Sequence, residues 1–127
     1  MKAIKINAPV NLTSGSIIPS GAIVIIATGT ADIKSAKDDK IPCQVATFVY
    51  NSLASYDAGK ANVDASSIAD FSPNFYGLQL AVVSYETLPT QDLLIGAVQV
   101  YLETIYPGQT TVINYTTYVV PPIVPIP

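Results

Sequence analysis

The sequence predicts a mainly β, α+β fold: an antiparallel β-sandwich or barrel-like sheet with one helix, at about residues 90–106, packed on it. Three observations carry this. Runs rich in Val, Ile, Thr and Tyr recur along the 127-residue chain, several alternating with period two. Clusters of Gly, Pro, Ser and Asn punctuate them. Only one stretch shows clear helical spacing.

Taken in order, residues 2–7 form a first strand with Ile4 and Ile6 on one side, broken at Asn7-Ala8-Pro9. Residues 10–12 extend it beyond a kink, and residues 13–16 turn. Residues 22–28, Ala-Ile-Val-Ile-Ile-Ala-Thr, do not alternate, so a central strand covered on both faces is expected. Residues 29–40 hold Asp32, Lys34, Lys37, Asp38, Asp39 and Lys40, which reads as a solvated loop rather than a lysine–acid catalytic cluster. In the next strand, residues 44–52, Ala46, Phe48 and Tyr50 share one face, and Val45, Thr47 and Val49 the other. Asp57-Ala58-Gly59 reads as a turn, residues 61–63 as a short returning strand, and residues 64–74 as an irregular crossing. Residues 75–86 are expected as one long strand, with Tyr76, Leu78, Leu80, Val82 and Ser84 pointing one way.

The helix follows. Thr90 is placed to cap it, Asp92 sits in the first turn where the dipole favours an acid, and Pro107-Gly108 stop it. Leu94, Ala97, Val98, Tyr101, Leu102 and Ile105 recur on one face, with burial expected at Leu94, Val98, Leu102 and Ile105. Its polar edge is thin, so a second face around Ile95 and Val100 is expected either in the core or against a neighbour. A last strand, residues 110–120, has two half-polar faces, which suit a sheet edge or an intersubunit position. The domain organisation is then one β-rich domain, residues 1–120, and an apolar, Pro-rich tail, residues 121–127. Four prolines there forbid helix and favour a stiff polyproline rod. A tail this apolar is expected to lie against its own domain or a neighbouring subunit. The candidate interface residues are Tyr115, Tyr118, Val119, Val120, Pro121, Pro122, Ile123, Val124, Pro125, Ile126 and Pro127.

Composition narrows the function. Half of the residues are apolar and only 12% are charged, about half the usual charged share, which implies surface that meets other chains. The chain has no Arg, His or Trp. It therefore lacks the commonest general base and metal ligand, and the bidentate clamp for phosphate. A net charge of −3 argues against a nucleic-acid partner. Charge is uneven: +2 over residues 1–40 and −5 over residues 41–127. That polarity would orient copies or select a partner, unless surface charge simply fell that way. A lone Cys43 beside an apolar run reads as a buried structural thiol. The opening residues lack the apolar core of a signal peptide, and no apolar run is long enough to span a bilayer, so no membrane partner is expected.

No nucleophile elbow, phosphate-binding loop or zinc spacing occurs. Asp57, Asp64, Asp70 and Glu86 are candidates for a carboxylate pair only by default. No enzyme activity, cofactor, metal or small-molecule substrate is expected.

Several features together resemble the small virion proteins of tailed bacteriophages, such as capsid decoration, head-fibre base, neck or tail-completion subunits. They are the N-terminal strand at residues 2–7, the Ile18-Pro19-Ser20-Gly21 entry into an apolar strand, residues 50–60, and the single helix before a terminal strand with an apolar tail. The resemblance lies in the general build of the chain. It implies a repeated, non-enzymatic structural subunit, made in the host cytoplasm and incorporated into a virion, with copies of itself and other virion proteins as partners. The alternative is a carbohydrate- or protein-binding β module that uses its eight tyrosines on the surface.

Overall fold

A computed structural model describes residues 1–117. Seven strands and three helices occur among them: β1 Lys2–Ile6, β2 Val10–Asn11, β3 Ile17–Ile18, β4 Ala22–Ala31, β5 Lys40–Tyr50, α1 Leu53–Asp57, β6 Asn74–Ala81, α2 Val82–Thr87, α3 Thr90–Ile105 and β7 Thr110–Asn114. Five strands make one antiparallel sheet in the order β6-β5-β4-β1-β7, and β2 and β3 form a small separate pair. The mainly β, α+β class is therefore correct. The sheet is open, with β6 and β7 at its edges, and among the described residues no second large sheet faces it. The helix α3 takes that place.

The inner face of the sheet is dictated by alternation. In β5, Ile41, Cys43, Val45, Thr47 and Val49 are all buried, while the residues between them are half-buried or exposed. They meet Ile4, Ile6 and Val24 from the neighbouring strands and Ile95, Val98 and Leu102 from α3 in the main core. Val10 and Ile18 of the small pair, with Phe71, close one end of that core. At the other end, Gly29 lets α3 approach: a Cβ there would lie 2.6 Å from Cδ2 of Leu94.

The helix begins one residue earlier than the sequence suggests. Pro89 is the N-cap, and Thr90 lies inside the first turn. The first turn is instead tied to β1, where the Lys2 backbone N–H donates to the Gln91 side chain and the Lys2 ammonium pairs with Asp92. Val98 and Leu102 are fully buried, as the periodicity requires, with Leu94 and Ile105 half-buried. Ile95 belongs to the core, so only Val100 of the pair expected on a second face is outward, at 71% exposed. The C-terminal turn is fastened by Glu103, whose carboxylate accepts from the Gly108 N–H at 2.6 Å and from the Thr110 hydroxyl at 2.6 Å.

Two further departures have clear causes. Residues 75–86 are not one strand. Gly77 adopts φ +73° and forms a bulge, so that Cys43 pairs with Leu78 but Val45 with Phe75. Tyr76 and Gly77 together occupy one outward position, and Phe75, Leu78 and Leu80 all turn inward. Ladder pairing then stops at Ala81, because its partner Lys40 is the first residue of β5. Beyond it the backbone has no strand to pair with and closes on itself as α2. β4 and β5 run longer than expected and are joined by residues 32–39, which hold a 3-10 turn at Ile33–Ser35 and end in a tight turn where Asp38 and Asp39 both take positive φ and Lys37 and Lys40 exchange backbone hydrogen bonds. The charged residues of that loop are exposed, as a solvated connection requires. Residues 61–63 form no strand, while residues 53–57 make the short α1 capped by Ser52.

Candidate interaction surface

The outer face of the sheet, opposite α3, divides into a covered and an open half. Over the covered half, Ala3, Ile23 and Ile25 are buried beneath Tyr50, Leu53, Tyr56, Ile113 and Tyr115. The rings of Tyr50 and Tyr56 meet edge to face at 5.1 Å, and those of Tyr56 and Tyr115 at 5.4 Å. Both faces of β4 are thus covered at Ala22–Ile25 alone, since α1 reaches no further. Burial raises the Tyr115 pKa, and the other two phenols add to the effect.

The open half consists of Thr28 and Thr30 of β4, Gln44, Ala46 and Phe48 of β5, and Asn74 and Tyr76 of β6. Register sets this grouping: Thr28 is opposite Ala46, Thr30 opposite Gln44, and Ala46 opposite Asn74. None of these side chains is charged. Phe48 is 48% exposed and Tyr76 70%, and a shallow depression of about 240 Å³ lies between the three strands. The bulge at Gly77 is what leaves Tyr76 standing outward at this spot. Such a face suits contact with another uncharged surface.

An unpaired stretch of strand borders this face. β1 pairs with β4 only from Ala22 to Val24, whereas β4 continues to Ala31 along β5. Among the described residues, residues 28–31 are therefore paired with β5 alone, and Ala27 with neither neighbour. Their side chains (Ala, Thr, Gly, Thr, Ala) are uncharged and small, with no Pro or Lys to guard the edge. A bulge between Ile26 and Thr28 leaves Ala27 outside the ladder with β5.

Of the sequence-predicted interface residues, only Tyr115 falls among the described residues. It packs on Tyr56, and its N–H donates to the Met1 carbonyl at 2.8 Å. Tyr118, Val119, Val120 and residues 121–127 lie outside the described residues. The tyrosines are divided in purpose. Tyr50, Tyr56 and Tyr115 build the covered half, Tyr106 is buried in the core, and Tyr101 packs edge-on against Phe75 at 5.2 Å. Among the described residues Tyr76 is the one on the open half, and Tyr85 is exposed on α2. Phe48 and the unpaired part of β4 were not singled out from sequence. Phe48 carried a signal, an aromatic on the non-core face of an alternating strand; the β4 edge carried none.

Two of the four default carboxylates, Asp70 and Asp64, have structural employment. Asp70 accepts from the Asn11 backbone N–H (2.9 Å), the Asn11 amide (3.1 Å) and the Tyr106 hydroxyl (2.8 Å). Partial burial would raise its pKa, but these three donors outweigh that and hold it below the ordinary value. The Tyr106 phenol is pushed well up, by burial first and then by the bond to Asp70 and its charge. Asp64 accepts from the N–H and hydroxyl of Ser66, which hold its pKa down. Cys43 is buried, and burial raises its pKa, which leaves it the neutral thiol. Among the described residues no three His, Cys, Asp or Glu side chains gather as a metal site, and no helix is long and apolar enough to cross a membrane. No family model, curated protein or solved structure matches the chain.

Proposed function

We propose that this chain is a non-enzymatic structural subunit of a phage virion, which binds copies of itself and other virion proteins through strand edges and its apolar C-terminal tail. The observation that supports this reading best is the uncharged, partly aromatic outer face with an unguarded strand edge beside it. A monomer normally charges or covers such an edge, because an open row of N–H and C=O groups recruits other chains. Val83, 67% exposed, and Val100 add apolar surface on the helical side. Assembly through these surfaces needs no titrating group at the interface.

Among the described residues, the competing reading, a glycan- or protein-binding module using surface tyrosines, retains Tyr76 and Phe48 on the open sheet face and the partly exposed Tyr85 and Tyr101 elsewhere, since three other tyrosines are spent on the covered half. Sedimentation of the purified chain over a hundredfold concentration range tests the assembly reading. A mass rising above the 13.4 kDa monomer supports it. A strict monomer that binds immobilised glycans, with binding lost in Tyr76→Ala, supports the competitor instead. The virion assignment is tested by the neighbouring genes: portal, terminase and major capsid genes support it, and their absence counts against it.

A further inference from the structure

We infer that the outward face of α3 is a contact between two copies of this chain, packed helix against helix about a two-fold axis at the level of Val98 and Gln99. This rests on the assembly reading and names one surface that carries it.

The charged and amide side chains of α3 all lie on one flank. Gln91 and Asp92 hold Lys2, and Gln99 and Glu103 hold Thr110. The other flank, Gly96, Ala97, Val100, Tyr101 and Thr104, carries no charge, although a surface helix normally turns its charged residues to water. Val100 is 71% exposed and Tyr101 40%. Between α3, α2 and β6 runs a groove of about 330 Å³, with the buried Leu80 and Leu93 at its base and the exposed Leu88 and Val100 at its rim. Val83 of α2, also exposed, extends the apolar surface.

Gly96 points to a partner outside the chain. Glycine is the poorest helix former after proline, so one in the middle of a helix is destabilising unless something must come close to it. At Gly29 that close approach is internal, because a Cβ there would strike Leu94. At Gly96, which lines the groove, a Cβ would enter open space, with no described residue within 4 Å. The absent side chain therefore leaves a hole on the outer surface of α3, where a side chain from another molecule fits.

The same face identifies the occupant. Val100 lies one turn beyond Gly96, and Tyr101 one turn beyond Ala97, so two adjacent rows each pair a small residue with a large one. In an antiparallel crossing, Val100 of each copy falls over Gly96 of the other, and Tyr101 over Ala97. Each copy thus supplies both knob and hole, as a two-fold contact requires. An uncharged face also meets its own copy without like-charge repulsion. The contact covers on the order of 400 Å² per copy, about half of a standard interface, so a pair is weak alone and gains strength from repetition in an assembly.

The test uses the full chain, with sedimentation and backbone amide NMR shifts followed over a hundredfold concentration range. The parent is expected to associate, with the largest shifts at residues 96–101. Gly96→Ala is expected to move two readings in opposite directions. Its Tm at the dilute end rises by about 3–5 °C, because alanine is the better helix former, while association weakens about tenfold, because the added methyl holds the helices apart. Val100→Asp, at a side chain exposed in the monomer, is expected to keep the parent's circular dichroism and lose the concentration-dependent shifts. A Gly96→Ala variant that gains Tm and associates as the parent does overturns the close approach at Gly96. If the parent associates but its shifts lie elsewhere and Val100→Asp associates equally well, the α3 contact is overturned while assembly through other surfaces stands. A parent that is monomeric at every concentration overturns both.

Discussion

Replacing Gly77 by Ala isolates the bulge that shapes both faces of β6. A Cβ built at Gly77 meets nothing within 4 Å, so steric conflict contributes nothing to the cost. What remains is backbone: φ is +73°, in the left-handed region, where a Cβ costs about 1–2 kcal/mol. Against this, the alanine restricts the unfolded chain, which returns about 0.4–1 kcal/mol. The net loss is about 1 kcal/mol, or roughly 3–5 °C in Tm for a domain of this size. Deleting Gly77 is a different perturbation. It leaves one residue of β6, Tyr76, facing one of β5, Gln44, between the Val45–Phe75 and Cys43–Leu78 pairs, and so restores a regular ladder with Phe75, Leu78 and Leu80 still inward. The deletion is therefore expected to fold, with its cost falling on the shifted entry into α2. Urea denaturation followed by circular dichroism measures both variants. Equal stability of Gly77→Ala and parent would refute the positive φ, and an unfolded deletion variant would refute the registry argument.

Two other expectations follow from the site. Tyr56→Ala removes two edge-to-face ring contacts worth about 0.5–1.5 kcal/mol each, together with the cover over Ile23 and Ile25, so a loss of about 2–4 kcal/mol is expected, against less than about 0.5 for Tyr76→Ala on the open face. Equal Tm values for the two variants would remove the distinction between covered and open halves. Asp70 has a depressed folded pKa, so its contribution is complete above its unfolded value of about 4 and is lost as pH falls through the folded value; Tyr106, raised, keeps its contribution below about pH 10 and loses it as pH rises further. Unfolding free energies at pH 2.5–5 should therefore fall more steeply for the parent than for Asp70→Asn, and those above pH 10 more steeply for the parent than for Tyr106→Phe; parallel profiles would contradict the network.

Local pattern determined much of this molecule. The strict alternation from Ile41 to Val49 placed five residues inward whatever lay across from them, and helical spacing bounded by Pro89 and Pro107-Gly108 placed α3 within a residue of its ends. Composition alone implied a surface poor in charge. Other features depended on partners distant in sequence. Val82 to Thr87 read as strand until β5 proved to begin at Lys40 and offered it no ladder. Ile95 is in the core because α3 crosses β4 at Gly29, a contact that spans more than sixty residues. Among the described residues, β4 is paired with β1 only at Ala22–Val24, a register that no stretch of residues 22–31 encodes. Periodicity reports which side of a strand or helix is apolar. Which neighbour stands beside it, and where that neighbour ends, is decided by pairing and packing across the whole chain.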